Sequence, residues 1–368
     1  VSEEFDVNTW SLLASRVLQR SLGLRRGQNV VIETWTHTLR LAEVFSVAAR
    51  QAGIRPTILY MSERAFFESQ AKSSPSDANA IGAAELKAIA ACDGYVNLPG
   101  PADLKRWGEL PAAHRHELDR WMLEWSRNLH RHSTPCVYLL VASPTRAAAR
   151  TYRVRLDDWQ RENLAGSLVD PRVFQKKARP LTGPLLRGRR VTITHPNGTN
   201  LELGLIGRQP IVWDGVVDRQ DLAEGRNWTV LPSGCLIVPL DERRAEGRFV
   251  SNRPSRHRRG TISRISWTFR NGRLNRYDVG QGRNLFEDFY LGAGKERDRP
   301  ALLSIGLNPK IRDSPFAEDA QAGVITLYIG HNDDFGGRTR GAFRGFALLE
   351  AADVLVDDRP VLRAGRWT

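Results

Sequence analysis

The pattern of the chain changes near residue 188, and this change constrains the fold more than any other feature. Before it, helical periodicity alternates with short apolar runs. Residues 28–33 and 56–61 read as strands, with a helix over 39–52 between them that Gly53 ends. Strand, helix, strand is a βαβ unit and implies a parallel sheet. Asn8 or Thr9 caps a helix through about Leu22, and Gly23 terminates it. Helices over 83–91 and 114–131 and strands over 94–97 and 136–142 continue the alternation. Residues 157–187 read as a helical connector with breaks at Gly166 and Pro171. After Arg190 the pattern becomes short strands with glycine and asparagine turns, and Asn271-Gly272 is a strong hairpin signal. The expectation is an α/β N-terminal domain of residues 1–187, a parallel sheet with flanking helices. A β-rich α+β domain of residues 188–368 then holds the cleft.

A chain of 368 residues is long enough for two cores. No window approaches the ~18 apolar residues of a membrane span, and no leader is visible. The three cysteines are far apart and have no metal-type spacing, so free thiols and a cytoplasmic location are expected. Net charge is +13, from 54 basic and 41 acidic residues. The densest basic run, Arg253 to Arg259, reads as a loop and has no interleaved aromatics. Charge alone supports only a non-specific field, so specific nucleic-acid binding is not expected. Some of the arginines are instead expected to bind an anionic small molecule. No glycine-rich nucleotide fingerprint occurs.

The stretch GVITLYIGHNDDFGGRTRGAFRGFALL, residues 323–349, is where a cleft is expected. Val324, Ile325, Leu327, Tyr328 and Ile329 read as a buried strand, His331 to Asp334 as a polar loop, Gly336-Gly337 as a turn, and 342–349 as a second strand. A rigid sheet with a charged loop at its end delivers polar side chains into a cleft.

Four short motifs in order carry a resemblance. They are HPNGTNL at 195–201 with Gly207-Arg208, then LPSG at 231–234 with AEG at 245–247, then SIGLNP at 304–309, and finally the stretch just quoted. Together they resemble the thermophilic metallo-aminopeptidases of the aminopeptidase T type. The 2,5-dihydroxypyridine dioxygenases resemble the same family, and their PSG and AEG segments are closer still. The resemblance implies the two-domain fold over nearly the whole chain, and a homodimer, to which Trp267 and Phe269, read as exposed on a hairpin, add a surface argument. It also implies six metal-ligand positions, which fall on Cys235, Leu302, Thr326, Asp333, Arg344 and Phe346. Leucine and phenylalanine cannot coordinate a metal, and arginine stays protonated and repels one. A catalytic site normally takes three protein ligands. The expectation is therefore no metal and no other cofactor at the family site.

Arg344 is the expected anion anchor, with Asn332 and Thr326 as further substrate contacts; the alternative for Arg344 is a slipped register that points it to solvent. His331 is a candidate base oriented by a carboxylate, with Asp333 beside it, and the alternative is loop capping by Asn332 and Asp334. Cys235 is a candidate nucleophile or a small buried hydrophobe. Glu202, opposite Leu201 and Leu203 on its strand, is a second acid–base candidate or a solvated carboxylate. Glu287 and Asp288 read as helix residues rather than a site. Three functions follow. The first is a divergent enzyme hydrolysing, or transferring a group from, a small carboxylate-bearing substrate without metal. The second is a metalloenzyme with a rebuilt site using His331, Asp333 and Cys235 or Glu202. The third is a non-catalytic relative that binds a ligand or partner.

Overall fold

The computed structural model describes residues 7–341 and 343–368. The chain divides into two compact units, one built from residues up to 168 together with 215–232, the other from 169–214 and 233–368. Helix Pro171–Arg187, expected in the first domain as a connector, belongs to the second unit. Its Phe174, Ala178, Leu181 and Leu185 recur at helical spacing and join that unit's core.

The first unit holds a five-stranded parallel sheet, ordered Arg55–Met61, Asn29–Trp35, Gly94–Asn97, Cys136–Leu139, Trp228–Leu231. The inner strands are buried on both faces, as a parallel sheet covered by helices requires. Val30, Ile32, Val96 and Val137 face the N-terminal helix and helix Leu39–Gln51, while Val31, Tyr95 and Cys136 face the opposite way. The last strand comes from far along the sequence. No helix among the described residues is long and apolar enough to cross a membrane.

The second unit has two antiparallel sheets, of nine and five strands, that share one core. In the five-stranded sheet the order is Arg344–Leu349, Ile325–Gly330, Pro300–Gly306, Cys235–Pro239, Ile211–Trp213. Alternation divides its side chains between two faces. Leu236, Val238, Leu303, Ile305, Ile325, Leu327, Ala347 and Leu349 enter the shared core. Trp213, Cys235, Leu302, Ser304, Thr326, Tyr328, Arg344 and Phe346 therefore stand on the outer face.

Two surface expectations are corrected here. Trp267 and Phe269 are fully buried. They alternate with exposed-side residues on the eleven-residue strand Gly260–Arg270, and Trp267 packs 6.4 Å from Phe286 of the following helix. They offer no surface for a partner. The basic run is not an open loop either. Ser255–His257 is a strand, and half-buried Arg253 and buried Arg256 are held in ion pairs with Asp313, Glu318 and Glu350. The expected second strand of the cleft runs Arg344–Leu349, and Ala342 lies outside the described residues.

Candidate functional site

The outer face of the five-stranded sheet carries the polar residues, and the loop 331–339 stands at its end. Asn332 fixes that loop. Its Nδ2 donates to Glu242 Oε1 at 3.0 Å and to the Ala301 carbonyl at 3.1 Å, while its Oδ1 accepts from Thr339 N–H at 3.0 Å. Glu242 also accepts from the Arg338 N–H at 2.8 Å and pairs with Arg208 at 2.7 Å. Burial alone would raise the Glu242 carboxyl, but Arg208 and the two N–H donors hold it below its ordinary value. Gly337 is required at the turn, because a Cβ there would lie 1.9 Å from Asn332 Cγ. Asn332 is thus fully buried and its amide is used inside the protein. This corrects its expected role as a substrate contact, since the groups that would touch a ligand are spent on the loop.

The loop presents His331, Asp333 and Asp334. His331 Nδ1 lies 3.0 Å from the Phe343 carbonyl. A carbonyl only accepts, so Nδ1 carries the proton and the Nε2 lone pair is left for other work. Arg344 is held in place on the outer face. Its Nε donates to the His331 carbonyl at 3.0 Å, its NH2 pairs with Asp334, and its guanidinium lies 5.0 Å over the Phe335 ring. It does not point into solvent, so the strand register is the one that puts it with His331. Asp334 offsets its charge, so the site is less positive than the sequence suggests. Ligand atoms of His331, Asp333 and Asp334 fall within 4.8 Å of one another, with both aspartates exposed.

The other expected residues are placed differently. Cys235 is buried, and its thiol is pushed well above its ordinary value, first by burial and then by the charge of Asp319, with Ser304 opposing. The thiolate is the reactive form, so this environment argues for packing and against a nucleophile. Thr326, opposite Ser304 in the register, is fully buried with Oγ1 unpartnered. Glu202 is on the nine-stranded sheet, exposed, 3.6 Å from Arg190 and paired across strands with Glu246. It lines a separate open depression of about 610 Å³ with Arg189, Arg243, Arg244 and Asp358, so it does not meet His331 or Cys235.

Sequence reasoning missed two residues. Asp319, on the short turn Glu318–Ala320, meets Tyr328 of the outer face, whose hydroxyl donates to Asp319 Oδ2 at 3.0 Å. Gly306 makes this possible. A Cβ on it would lie 1.9 Å from the Gln321 carbonyl, so only glycine lets the turn rest on the sheet. Burial raises Asp319, while Tyr328 and the N–H groups of Asp319 and Ala320 pull the other way. Tyr328 is raised by burial and by the Asp319 charge, against Arg344. Strand alternation alone puts Tyr328 opposite Leu327 and Ile329, and that signal was available in the sequence. Asp319 had no such signal. Next to them the His257 ring lies tilted against Phe346 at 4.7 Å, and burial pushes it down to about 4.

The donor set can be tested against the metal pair of the resembled aminopeptidases. Leu302 and Phe346 have no donor atom, Arg344 is a cation, and the Cys235 thiol is held protonated. These residues do not fit that pair of ions.

No protein-family model matches the chain, and no curated protein matches it. Solved structures do. AmpT from Thermus thermophilus superposes with a TM-score of 0.73 at 16% identity, covering 98% of this chain and 99% of that one. The 2,5-dihydroxypyridine dioxygenase of Pseudomonas putida superposes with a TM-score of 0.60 at 15% identity, covering 99% and 98%. At these identities the likeness speaks for the fold, and it spans both units: the chain has the AmpT-like fold, with a parallel sheet in its first unit and antiparallel sheets in its second.

Proposed function

We propose that this chain is a divergent enzyme of the AmpT-like fold. It acts on a small carboxylate-bearing molecule by hydrolysis or a related group transfer, without the aminopeptidases' metal pair. The observation that carries the reading is the side-by-side placement of Arg344 and His331. The Arg344 guanidinium is fixed by the His331 carbonyl, Asp334 and Phe335. It retains N–H donors for a bound carboxylate, and a preorganised fork binds one by paired hydrogen bonds. His331 Nε2 then exchanges a proton with the reacting group. Succinate serves as the probe. Calorimetry should show binding to the wild type, and Arg344→Ala should weaken it by about tenfold or more, the value of a charged hydrogen bond. Equal binding by both proteins would count against the reading.

A second reading has one observation in its favour. His331, Asp333 and Asp334 bring three ligand atoms within reach of one cation. It differs from the expected rebuilt site, because Asp334 replaces Cys235 or Glu202. Asp334 already pairs with Arg344, so an ion would have to break that pair and sit beside a fixed positive charge. The first reading needs no such exchange.

A further inference from the structure

We infer that Tyr328 is a catalytic residue of this cleft and that Asp319 is its positioning partner, the pair taking up the proton of the attacking water. The inference rests on the carboxylate-hydrolase reading above and adds the group that this reading lacks. Hydrolysis takes a proton from the attacking water and returns one to the leaving group, and two groups can do both within one step. His331 supplies a single exchangeable site.

Tyr328 stands on the outer face, opposite Phe346 in the register and two pairs from Arg344, the next residue of its strand on that face. It is half-buried rather than sealed, and its hydroxyl is tied to Asp319 at 3.0 Å. A tyrosine with no task on a sheet face needs no half-buried carboxylate. Here considerable structure is devoted to holding one. Arg256 pairs with Glu318 at 3.0 Å and with Asp313 at 2.8 Å, next to Asp319 in the turn. Arg253 bridges Asp313 and Glu350 and donates to Gln321 at 2.6 Å, on the other side of the turn. Asn308 N–H closes onto the Ala320 carbonyl at 2.8 Å. The turn is clamped on both flanks and rests on Gly306, so the Asp319 carboxylate stays where the tyrosine needs it.

In the step, the water oxygen bonds to the substrate carbonyl carbon and loses a proton to the Tyr328 oxygen. The Tyr328 proton passes at the same time to Asp319 Oδ2. The carbonyl carbon then breaks its bond to the leaving group, which takes a proton from His331 Nε2, whose lone pair has first taken one up from solvent. Asp319 releases its proton to solvent, so ester and water become acid and alcohol with no net change in the protein.

The test uses the full chain and the mono-4-nitrophenyl ester of succinic acid. Tyr328→Phe should lower kcat by about 100-fold with KM within about twofold, and Asp319→Asn should do likewise and displace the pH profile. Arg344→Ala should act on KM instead. Wild-type turnover that Tyr328→Phe leaves intact would overturn the inference while sparing the function. Failure of the wild type to bind succinate or turn over the ester would overturn the function. A substrate-free readout then decides the pair by itself. With carboxyl-13C aspartate, the resonance lost in Asp319→Asn should titrate above the ordinary aspartate range and move further up in Tyr328→Phe, which removes its donor. A resonance in the ordinary range, unmoved by Tyr328→Phe, would overturn the inference.

Discussion

Replacing Asn332 by alanine separates a scaffold from a substrate contact. The side chain makes three buried hydrogen bonds, to Glu242, Ala301 and Thr339. Truncation strands the Thr339 N–H, leaves the Ala301 carbonyl with the Leu240 N–H alone, and leaves Glu242 with one donor fewer. One unsatisfied buried group costs about 1–3 kcal/mol and each of the other two lost hydrogen bonds about 0.5–1.5 kcal/mol, so a loss of about 3 kcal/mol is expected. The affected unit comprises residues 169–214 and 233–368. For a unit of that size about 3 kcal/mol corresponds to roughly 6–12 °C in Tm. Urea melts followed by circular dichroism give the first number, and calorimetry gives the second. Asn332→Asp should be worse than Asn332→Ala, because a second carboxylate would face Glu242. If Asn332→Ala melts like the wild type and loses only succinate affinity, Asn332 is a ligand contact and the account of the loop is wrong.

Two further outcomes follow from burial. Cys235→Ser should cost about 1–2 kcal/mol of stability and leave ester turnover nearly unchanged; loss of nearly all turnover in a folded variant would restore Cys235 as a nucleophile. His257 is held down to about 4 from 6.5, so the folded state binds fewer protons than the unfolded chain between those values. Stability from this group is therefore lost as pH falls from about 6.5 toward 4, by at most about 3 kcal/mol. Glu318, pushed up to about 7 by burial against Arg256, has the opposite sign and loses stability as pH rises. The comparison that isolates His257 is His257→Gln against wild type in urea at pH 7 and pH 4.5. The variant should lose less on acidification, and equal losses would refute the assignment.

Much of the fold was legible because its signals are local. The βαβ spacing gives the parallel sheet, and Asn271-Gly272 gives the hairpin between Gly260–Arg270 and Arg273–Gln281. Two features were not local. Strand Trp228–Leu231 returns to complete the first sheet, and no pattern within four residues says which sheet a strand joins. Trp267 and Phe269 read as surface because a hairpin alone has no preferred face; the helix Arg283–Leu291 that covers them decides it. In the site, Arg344 and His331 were found because they flank a glycine turn. Asn332 was misassigned because a polar loop residue looks the same whether its amide faces a ligand or Glu242. Asp319 was invisible because its partner Tyr328 lies across a turn whose position depends on the missing Cβ of Gly306.

The central claim is that this cleft works without the aminopeptidases' metal pair, and calorimetric titration with zinc and manganese tests it most directly, alongside ester turnover before and after chelation. The account predicts no stoichiometric tight site and turnover that a chelator leaves unchanged. Stoichiometric binding that His331→Ala or Asp333→Ala abolishes, or turnover lost to chelator and restored by metal, would contradict it and establish a rebuilt centre on the 331–334 loop.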